Sequence, residues 1–247
     1  MIRVIAFKEL RTLLQAPATW FILGALQLIL AWSYLGRLDA YLQLQSQMSL
    51  IANAPGATQW IVPGLSGTVA LVMMTLTPVF TMRLLAEERR NQTLALLLAA
   101  PLSARQIVLG KFLGLLAFLC LIIFAVAGMT LTLALGTRMD FGLLLANLGG
   151  LLLLTASYIA LGLYISSLTA QPIVAAIGTL MVSFALKVAE EYATDSSHAL
   201  VALTPTGHFR NFNSGLLDSG DLVYFVLFCG FFLVLTMRRL DHNRIYG

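Results

Sequence analysis

Long apolar runs, separated by short clusters of charged and polar residues, divide this chain into six stretches. A helix that crosses a membrane needs about 20 mostly apolar residues. Because lipid offers the backbone no hydrogen bonds, each such stretch must be helical. The pattern therefore predicts an all-α membrane protein, a single transmembrane domain over residues 1–247, with six spans near residues 17–35, 60–83, 112–135, 142–166, 172–188 and 222–238.

The residues before the first span follow a different pattern, which is typical of an amphipathic helix. On a helical wheel the apolar arc holds Ile2, Ala6, Phe7, Leu10, Leu13 and Leu14, and the polar arc holds Lys8, Glu9, Arg11, Thr12 and Gln15. This predicts a helix in the membrane interface, ended by Pro17 where the chain turns into the first span. It is either a plain anchor or an elbow that also contacts a cytoplasmic partner, with Lys8, Glu9 and Arg11 on its polar side.

The stretch between spans two and three holds the densest polar chemistry of the chain. Its first part predicts a helix in which Glu87 and Glu88 pair with polar side chains one turn further on. Pro101 ends that helix. Ser103 is then placed to cap the next helix, with Gln106 as the reciprocal partner of a capping box. The expected structure is a helix, a sharp turn, and a new helix that rises into span three.

An apolar run, Leu94–Ala100, lies in the middle of this polar stretch. A plain solvated loop is one interpretation, but such a loop would expose the apolar run to water. An exposed apolar patch with charged edges is normally an interaction surface. Leu94 and Leu97 are therefore candidate contacts for a partner.

Composition supports a membrane protein, and the distribution of charge orients it. Of 247 residues, 59% are hydrophobic and 11% are charged, against roughly 45–50% and 25% in soluble domains. The basic residues on the side of the N-terminus are Arg3, Lys8, Arg11, Arg83, Arg89, Arg90, Arg105, Lys111, Arg238, Arg239 and Arg244, and those on the other side are Arg37, Arg138, Lys187 and Arg210. This asymmetry predicts that both termini are cytoplasmic. The net charge of +4 is spread over short segments, which argues against nucleic acid as a partner.

The longest loop, Lys187–Asp221, falls on the side with few basic residues. Polar and apolar surfaces alternate along it around Pro205 and Gly207, which predicts two short outer helices before span six. His208 has no second histidine or carboxylate at the spacing of a metal site. We therefore interpret it as a hydrogen-bonded polar residue and expect no bound metal.

Two glycine patterns lie at the edges of spans. Gly110 and Gly114 form a G-x-x-x-G pattern at the base of span three, which favours close helix packing. The sequence G-L-S-G at residues 64–67 matches the G-x-S-G pattern of rhomboid-like intramembrane serine proteases. Such an enzyme needs a histidine base within reach of the serine, here Ser66. No predicted span contains a histidine, so the protease is the weaker alternative.

The residues from Glu87 to Lys111 resemble the signature region of type-2 ABC transporter permeases, the ABC-2 transmembrane subunits. The shared order is E-E-R-x-x-x-T-L-x-x-L-L-x-x-P-L-S-x-x-x-I-V-x-G-K. Three further segments are similar to the gliding-motility (GldF-like) subgroup: F-K-E-L in the first helix, G-L-Y-I-S-S-L-T-A-Q at the end of span four, and N-F-N-S-G-L-L-D-S-G-D-L-V-Y-F before span six. The resemblance therefore extends over the whole chain.

The resemblance implies a cytoplasmic coupling helix that docks on a dimer of ABC ATPase subunits. Those subunits would hold ATP and Mg, whereas this chain would bind no cofactor. With Leu97 of the apolar run, the residues implied in coupling are Glu87, Glu88, Arg89, Thr93, Leu94, Pro101, Leu102, Ser103 and Lys111. Residues 90–92 depart from the more usual Lys-Ser-Gly, which leaves the identity of the ATPase open.

The resemblance also implies the setting of the complex. The chain would lie in the inner membrane of a bacterium beside a second permease subunit, either another copy or a paralogue. A protein with an extracytoplasmic domain would be a possible further partner. The complex would be an exporter, or it would transmit force to periplasmic partners.

Two observations on the residues bear on other functions. The nearest approach to a P-loop, Gly110-Lys111, lacks both the first glycine and the hydroxyl after the lysine, so the chain itself is not expected to be an enzyme. An ion-coupled carrier would place ionisable groups within its spans. The only candidates are Lys187, Glu190 and Glu191 near the outer end of span five, and the carrier remains an alternative.

Overall fold

The computed structural model describes residues 1–48, 56–93, 102–137, 139–192 and 203–246, and all regular structure in these ranges is helical. The helices are α1 (Ile2–Gln15), α2 (Pro17–Met48), α3 (Ala57–Met82), α4 (Ala104–Leu131), α5 (Phe141–Leu168), α6 (Pro172–Glu191), α7 (Pro205–Asn213) and α8 (Ser219–Tyr246). Six of these, α2 to α6 and α8, are long and apolar enough to cross a membrane. The predicted all-α class and the predicted number of spans are confirmed.

Most of the helices are longer than the predicted spans. Helix α2 continues past residue 35 to Met48, and α4 begins at Ala104 rather than at residue 112. The sequence prediction ended each span near its charged residues. A helix satisfies its own backbone hydrogen bonds, so it can extend beyond the lipid without a break. The spans are therefore the apolar parts of longer helices.

Helices α3 and α5 form the centre of the bundle. About two thirds of the most apolar window of each is buried inside the protein, compared with about one sixth for α2 and α6. Gly162 of α5 lies directly against Thr81 of α3, where a Cβ atom would overlap the threonine side chain. The rings of Phe80 and Phe118 pack α3 against α4 at a centroid distance of 5.1 Å. The other helices surround this pair and expose apolar side chains outward, as lipid contact requires.

Helix α1 packs against the first turns of α4. A Cβ atom at Gly110 would lie 2.7 Å from Cβ of Ile5, and one at Gly114 would lie 2.8 Å from the carbonyl oxygen of Ala6. Only glycine permits backbones to approach this closely. The packing predicted from the G-x-x-x-G pattern is confirmed, and the partner is α1. The position of α1 in the membrane interface stays a prediction.

The bundle has two chemically different ends. The end formed by α1, the residues after α3 and the start of α4 is called the basic end, because it carries Lys8, Arg11, Arg89, Arg90 and Arg105. At the opposite end α7 lies across α5, with Cβ of Phe212 2.5 Å from the position of a Cβ at Gly150. Asn147 of α5 donates a hydrogen bond to the carbonyl oxygen of Asn213 (3.3 Å). Helix α7 is one of the two short helices predicted in this loop; residues 193–202, where the other was expected, lie outside the described residues.

Candidate functional site

A cluster of three charged side chains joins three parts of the chain at the basic end. The Nζ atom of Lys111, on α4, donates hydrogen bonds to Oε1 of Glu9 on α1 (2.8 Å) and to Oε1 of Glu88 after α3 (2.6 Å). The lysine side chain is 1% exposed, and the two glutamates are 13% and 20% exposed. The cluster therefore links α1, α4 and the end of α3 through a buried cation.

The arrangement explains how a lysine is tolerated inside the bundle. A buried ammonium without a partner is costly, because it loses the solvation that water supplied. Two carboxylates at hydrogen-bond distance offset that loss, and both remain partly exposed. Loss of either glutamate would leave one ion pair, whereas loss of Lys111 would leave two acids facing each other. The lysine is the residue on which the cluster depends.

The position of Glu88 depends on an irregular turn at the end of α3. Residues Arg83–Glu87 form a π-helical turn, and the α-helix resumes for the short segment Glu88–Arg90. A π turn inserts about one extra residue, which rotates the residues after it by about 100° around the helix axis. The turn thus decides which side of the helix carries Glu88.

Two serines at the end of α5 hold this π turn. The backbone N–H of Ala86 donates a hydrogen bond to Oγ of Ser166 (3.0 Å), which in turn donates to the carbonyl oxygen of Met82 (3.4 Å). Nη1 of Arg89 donates to the carbonyl oxygen of Ser167 (3.4 Å). The hydroxyl of Ser166 thus satisfies backbone groups that the irregular turn releases. Helix α5, at the centre of the bundle, is therefore tied directly to the residues that precede Glu88.

The described residues stop at Thr93 and resume at Leu102. The helix after the π turn ends at Arg90, and Gln92 has φ 58°, a left-handed conformation that a helix does not continue through. The prediction that this helix continues to Pro101 is therefore wrong. Oγ1 of Thr93 donates to the carbonyl oxygen of Glu88 (3.2 Å). Residues 94–101, with the predicted coupling residues Leu94, Leu97 and Pro101, lie outside the described residues.

Helix α4 begins at the predicted capping box. The backbone N–H of Gln106 donates to Oγ of Ser103, and the backbone N–H of Ser103 donates to Oε1 of Gln106, both at 3.3 Å. These bonds satisfy two of the donors that a helix start leaves free. Leu102 precedes this cap and is half-buried. The start of α4 is therefore fixed by its own side chains, as the sequence predicted.

The structure brings together some of the predicted site residues and separates others. Glu88 and Lys111 meet, and Glu9 of α1 shares the same ammonium. Glu9 was placed on the polar arc of α1 with Lys8 and Arg11; those two are exposed, whereas Glu9 turns inward to α4. The local partners predicted for Glu88 are replaced by Lys111 on another helix. In the sequence, Ser166 stands out only as part of the segment G-L-Y-I-S-S-L-T-A-Q at the end of span four.

The surroundings of Lys111 bear on phosphate binding. In a P-loop the lysine follows a glycine-rich loop whose backbone N–H groups surround the phosphates. Here Gly110 and Lys111 lie inside α4, whose first residue is Ala104, and the ammonium is engaged by two carboxylates. A helix interior presents no free backbone N–H groups to a nucleotide.

The residues considered for other chemistry have different surroundings. Ser66 is buried in α3. Nδ1 of His208 lies 2.5 Å from Oδ1 of Asp221, and Nδ2 of Asn211 donates to the other oxygen of that carboxylate (2.9 Å). His208 is thus hydrogen-bonded, as predicted. Within the described residues no group of three or more His, Cys, Asp or Glu side chains could hold a metal ion.

Comparison with known proteins agrees with this architecture. A family model described as "ABC-2 family transporter protein" matches residues 3–239. The matched range contains Glu9, Glu88 and Lys111, and it takes in α1 from its second residue through most of α8. No curated protein matches the chain.

Proposed function

We propose, from the premise that the chain belongs to the ABC-2 family of transporter proteins, that it is the permease subunit on which a separate ABC ATPase dimer acts. Family membership and six apolar helices make it a multi-pass membrane transport subunit. The observation that carries the coupling role is the buried cluster of Glu9, Glu88 and Lys111. Glu88 and Lys111 lie at the two ends of the segment expected to dock on the ATPase, and the cluster links both of them to helix α1 through Glu9.

The first step of the proposed coupling runs through α4. Residues 94–101 lie between Glu88 and the capped start of α4 at Ser103. Movement of this segment would displace the start of α4 through the capping box. It would also displace Lys111 through the ion pair with Glu88. Because Glu9 shares the same ammonium, α1 must follow or the ion pair must break. Segments joined by buried charge pairs move together, since separation leaves a charge uncompensated.

The second step runs through the π turn to the centre of the bundle. Ser166 bonds to the backbone on both sides of residues 83–85, so movement of the segment after α3 changes the end of α5. π turns occur frequently at functional sites and differ from α-helix by a single residue of register. A switch between the two registers would rotate Glu88 while α3 keeps its place. Movement of the docked ATPase would in this way be transmitted to α3 and α5.

The proposed orientation is supported by charge. The basic end carries most of the lysine and arginine residues, which favours a cytoplasmic location for this end and for both termini. The ATPase dimer, with its ATP and Mg, then meets the chain at residues 87–111. A cytoplasmic membrane of a bacterium suits this arrangement.

The partners complete the proposal. A second permease subunit, another copy or a paralogue, would supply the other half of the membrane pair. The complex would export a substrate or transmit force to an extracytoplasmic partner, as the similarity to gliding-motility permeases implies.

The ion-coupled carrier and the serine protease are the competing functions. Transport that continues without ATP would favour the carrier. Labelling of Ser66 by a fluorophosphonate would favour the protease.

Leu97→Glu is expected to detach the ATPase without unfolding the bundle. A carboxylate in the middle of an apolar docking surface is desolvated when the complex forms, and that loss has no compensating partner. We expect the amount of ATPase that co-purifies from cells with the tagged permease to fall at least about tenfold, equivalent to 1.4 kcal/mol. Thermal unfolding of the variant in detergent should match the unsubstituted chain.

Gln59→Glu is the matched control for this experiment. It adds the same charge at an exposed position near the start of α3, at the end of the bundle opposite the basic end. Its co-purification should equal that of the unsubstituted protein. An intact complex recovered from Leu97→Glu at normal yield would contradict the docking surface.

The isolated chain is expected to have no ATPase activity. Its only lysine at a P-loop-like position lies inside α4 and is held by two carboxylates. Phosphate release should therefore stay at the background rate after the ATPase has been removed by a high-salt wash and a second column. Activity that co-elutes with the chain and survives Lys111→Met would overturn the assignment of hydrolysis to another subunit.

A further inference from the structure

A cavity of about 400 Å³ opens among α3, α5, α6 and α7, away from the basic end. Its lining includes Tyr158, Lys187, Glu190, Thr206, Arg210 and Asn213. Sites for small molecules begin at about 300 Å³. The cavity is therefore large enough for a polar head group together with a few water molecules.

Four polar atoms that belong to residues lining this cavity are buried and lack a hydrogen-bond partner among the described residues. They are Oη of Tyr158, Oε2 of Glu190, Oγ1 of Thr206 and Oδ1 of Asn213. Tyr158 and Glu190 are only 2% and 7% exposed. A buried polar group with no partner destabilises a fold, so four of them around one cavity favour a polar occupant.

The charges of the cavity are arranged in two parts. Glu190 and Tyr158 form a buried acceptor wall, whereas Arg210 lies at the mouth with its side chain 76% exposed. Nη1 of Arg210 is 3.6 Å from Oε1 of Glu190, whereas Oε2 of the same carboxylate is buried without a hydrogen-bond partner. Lys187 adds a second cation to the lining, and Glu191 adds a second carboxylate. A ligand with a cation at one end and an anion at the other complements this pattern.

We propose that the cavity binds a phosphoethanolamine group, with its primary ammonium against Glu190 and its phosphate against Arg210 and Lys187. A primary ammonium donates up to three hydrogen bonds, and the lining offers it the carboxylates of Glu190 and Glu191 as acceptors. A quaternary ammonium donates none and would leave these acceptors unsatisfied. Guanidinium and ammonium groups bind phosphate through charge-assisted hydrogen bonds.

The group has two possible sources, a phospholipid head group or a soluble phosphoethanolamine compound. The inference does not depend on the ATPase, because the cavity lies away from the basic end and involves none of the residues of the Glu9–Lys111–Glu88 cluster. It can hold even where the proposed coupling fails.

The test is native mass spectrometry of the full-length chain in detergent, titrated separately with phosphatidylethanolamine, phosphatidylcholine and O-phosphoethanolamine. We expect phosphatidylethanolamine to bind at least tenfold more tightly than phosphatidylcholine. Binding of O-phosphoethanolamine as well would indicate a soluble ligand, and binding of the lipid alone would indicate a head-group site. Equal affinity for the two lipids, or no binding of any of the three, would overturn the proposal and leave a water-filled cavity.

Two variants test the role of the named residues. Glu190→Gln removes the charge that faces the ammonium, and Tyr158→Phe removes only one oxygen atom; each is expected to weaken binding at least tenfold. Asp39→Asn is the charge-matched control, since Asp39 is exposed and does not line the cavity. Thermal unfolding without ligand identifies a variant that fails to fold. If one of the two variants fails to fold, the affinity of the other variant tests the site. Unchanged affinity in a folded Glu190→Gln or Tyr158→Phe variant would contradict the site.

Discussion

Gly114→Leu is expected to separate α1 from α4 while the six spans stay folded. A Cβ atom at this position would lie 2.8 Å from both the carbonyl oxygen of Ala6 and Cβ of Glu9. Backbone atoms of a packed helix cannot yield as a side-chain end can, so α1 must move outward. Overpacking costs about 1–3 kcal/mol, and the backbone contact places this case near the upper value. The open form of α1 should then be populated about 100-fold more than in the unsubstituted chain, since each 1.4 kcal/mol is tenfold.

Limited trypsin digestion measures this opening directly. Cleavage after Lys8 and Arg11 tracks the population of the open form when reclosing is fast. Gly128→Leu is the matched control, because Gly128 lies on the same helix and a Cβ there would meet nothing within 4 Å. Digestion of the control should be unchanged. Equal protection of Gly114→Leu would show that α1 does not depend on this close approach.

Lys111→Met is expected to destabilise the protein by about 3 kcal/mol. Removal of one member of a buried ion pair costs about 3–5 kcal/mol, and the lower value applies because the glutamates that remain are 13% and 20% exposed. For a chain of this size the apparent Tm in detergent should fall by about 6–12 °C. Neither acid keeps its partner, so α1 and the segment after α3 both lose their link to α4.

Two further variants separate the ion pairs from the packing of the lysine stem. The triple variant Lys111→Met, Glu9→Gln, Glu88→Gln removes all three charges and should recover at least half of the lost Tm, because replacement of a whole buried charge cluster is often nearly neutral. Arg105→Met removes an exposed cation from the same helix and should change stability by less than about 0.5 kcal/mol. A Lys111→Met variant as stable as Arg105→Met would exclude a structural role for the cluster.

Lys111→Met and Leu97→Glu together test the proposed coupling. In a complex with the ATPase, Lys111→Met should retain docking at residues 94–101 and lose transport driven by ATP. Leu97→Glu should lose docking itself. The two expected phenotypes differ because Lys111→Met breaks the connection behind the proposed docking surface, whereas Leu97→Glu changes that surface itself.

Much of the site could be read from sequence where the chemistry is local. The capping box of Ser103 and Gln106 depends on residues three apart, and the structure confirms it. The G-x-x-x-G pattern of Gly110 and Gly114 correctly indicated close packing. It did not indicate the partner, because a small residue permits an approach without specifying which helix makes it.

The contacts that connect distant parts of the chain were not predictable in this way. Lys111 and Glu9 are 102 positions apart, and Ser166 and Ala86 are 80 apart. A helical wheel placed Glu9 on a polar arc, since it weighs each residue only against its neighbours on the same helix. Nor did any local pattern signal the π turn, whose released backbone groups are satisfied by a hydroxyl from another helix.

The sequence by itself determined the six spans, the helical class and the basic end of the molecule. These follow from the solvent that each segment requires, which is a property of the local composition. Only the tertiary structure decided that a buried lysine joins three elements and that Tyr158 and Glu190 face one polar cavity. Such groupings depend on how helices from distant parts of the chain pack. Burial between the helices makes a charge without a partner energetically costly.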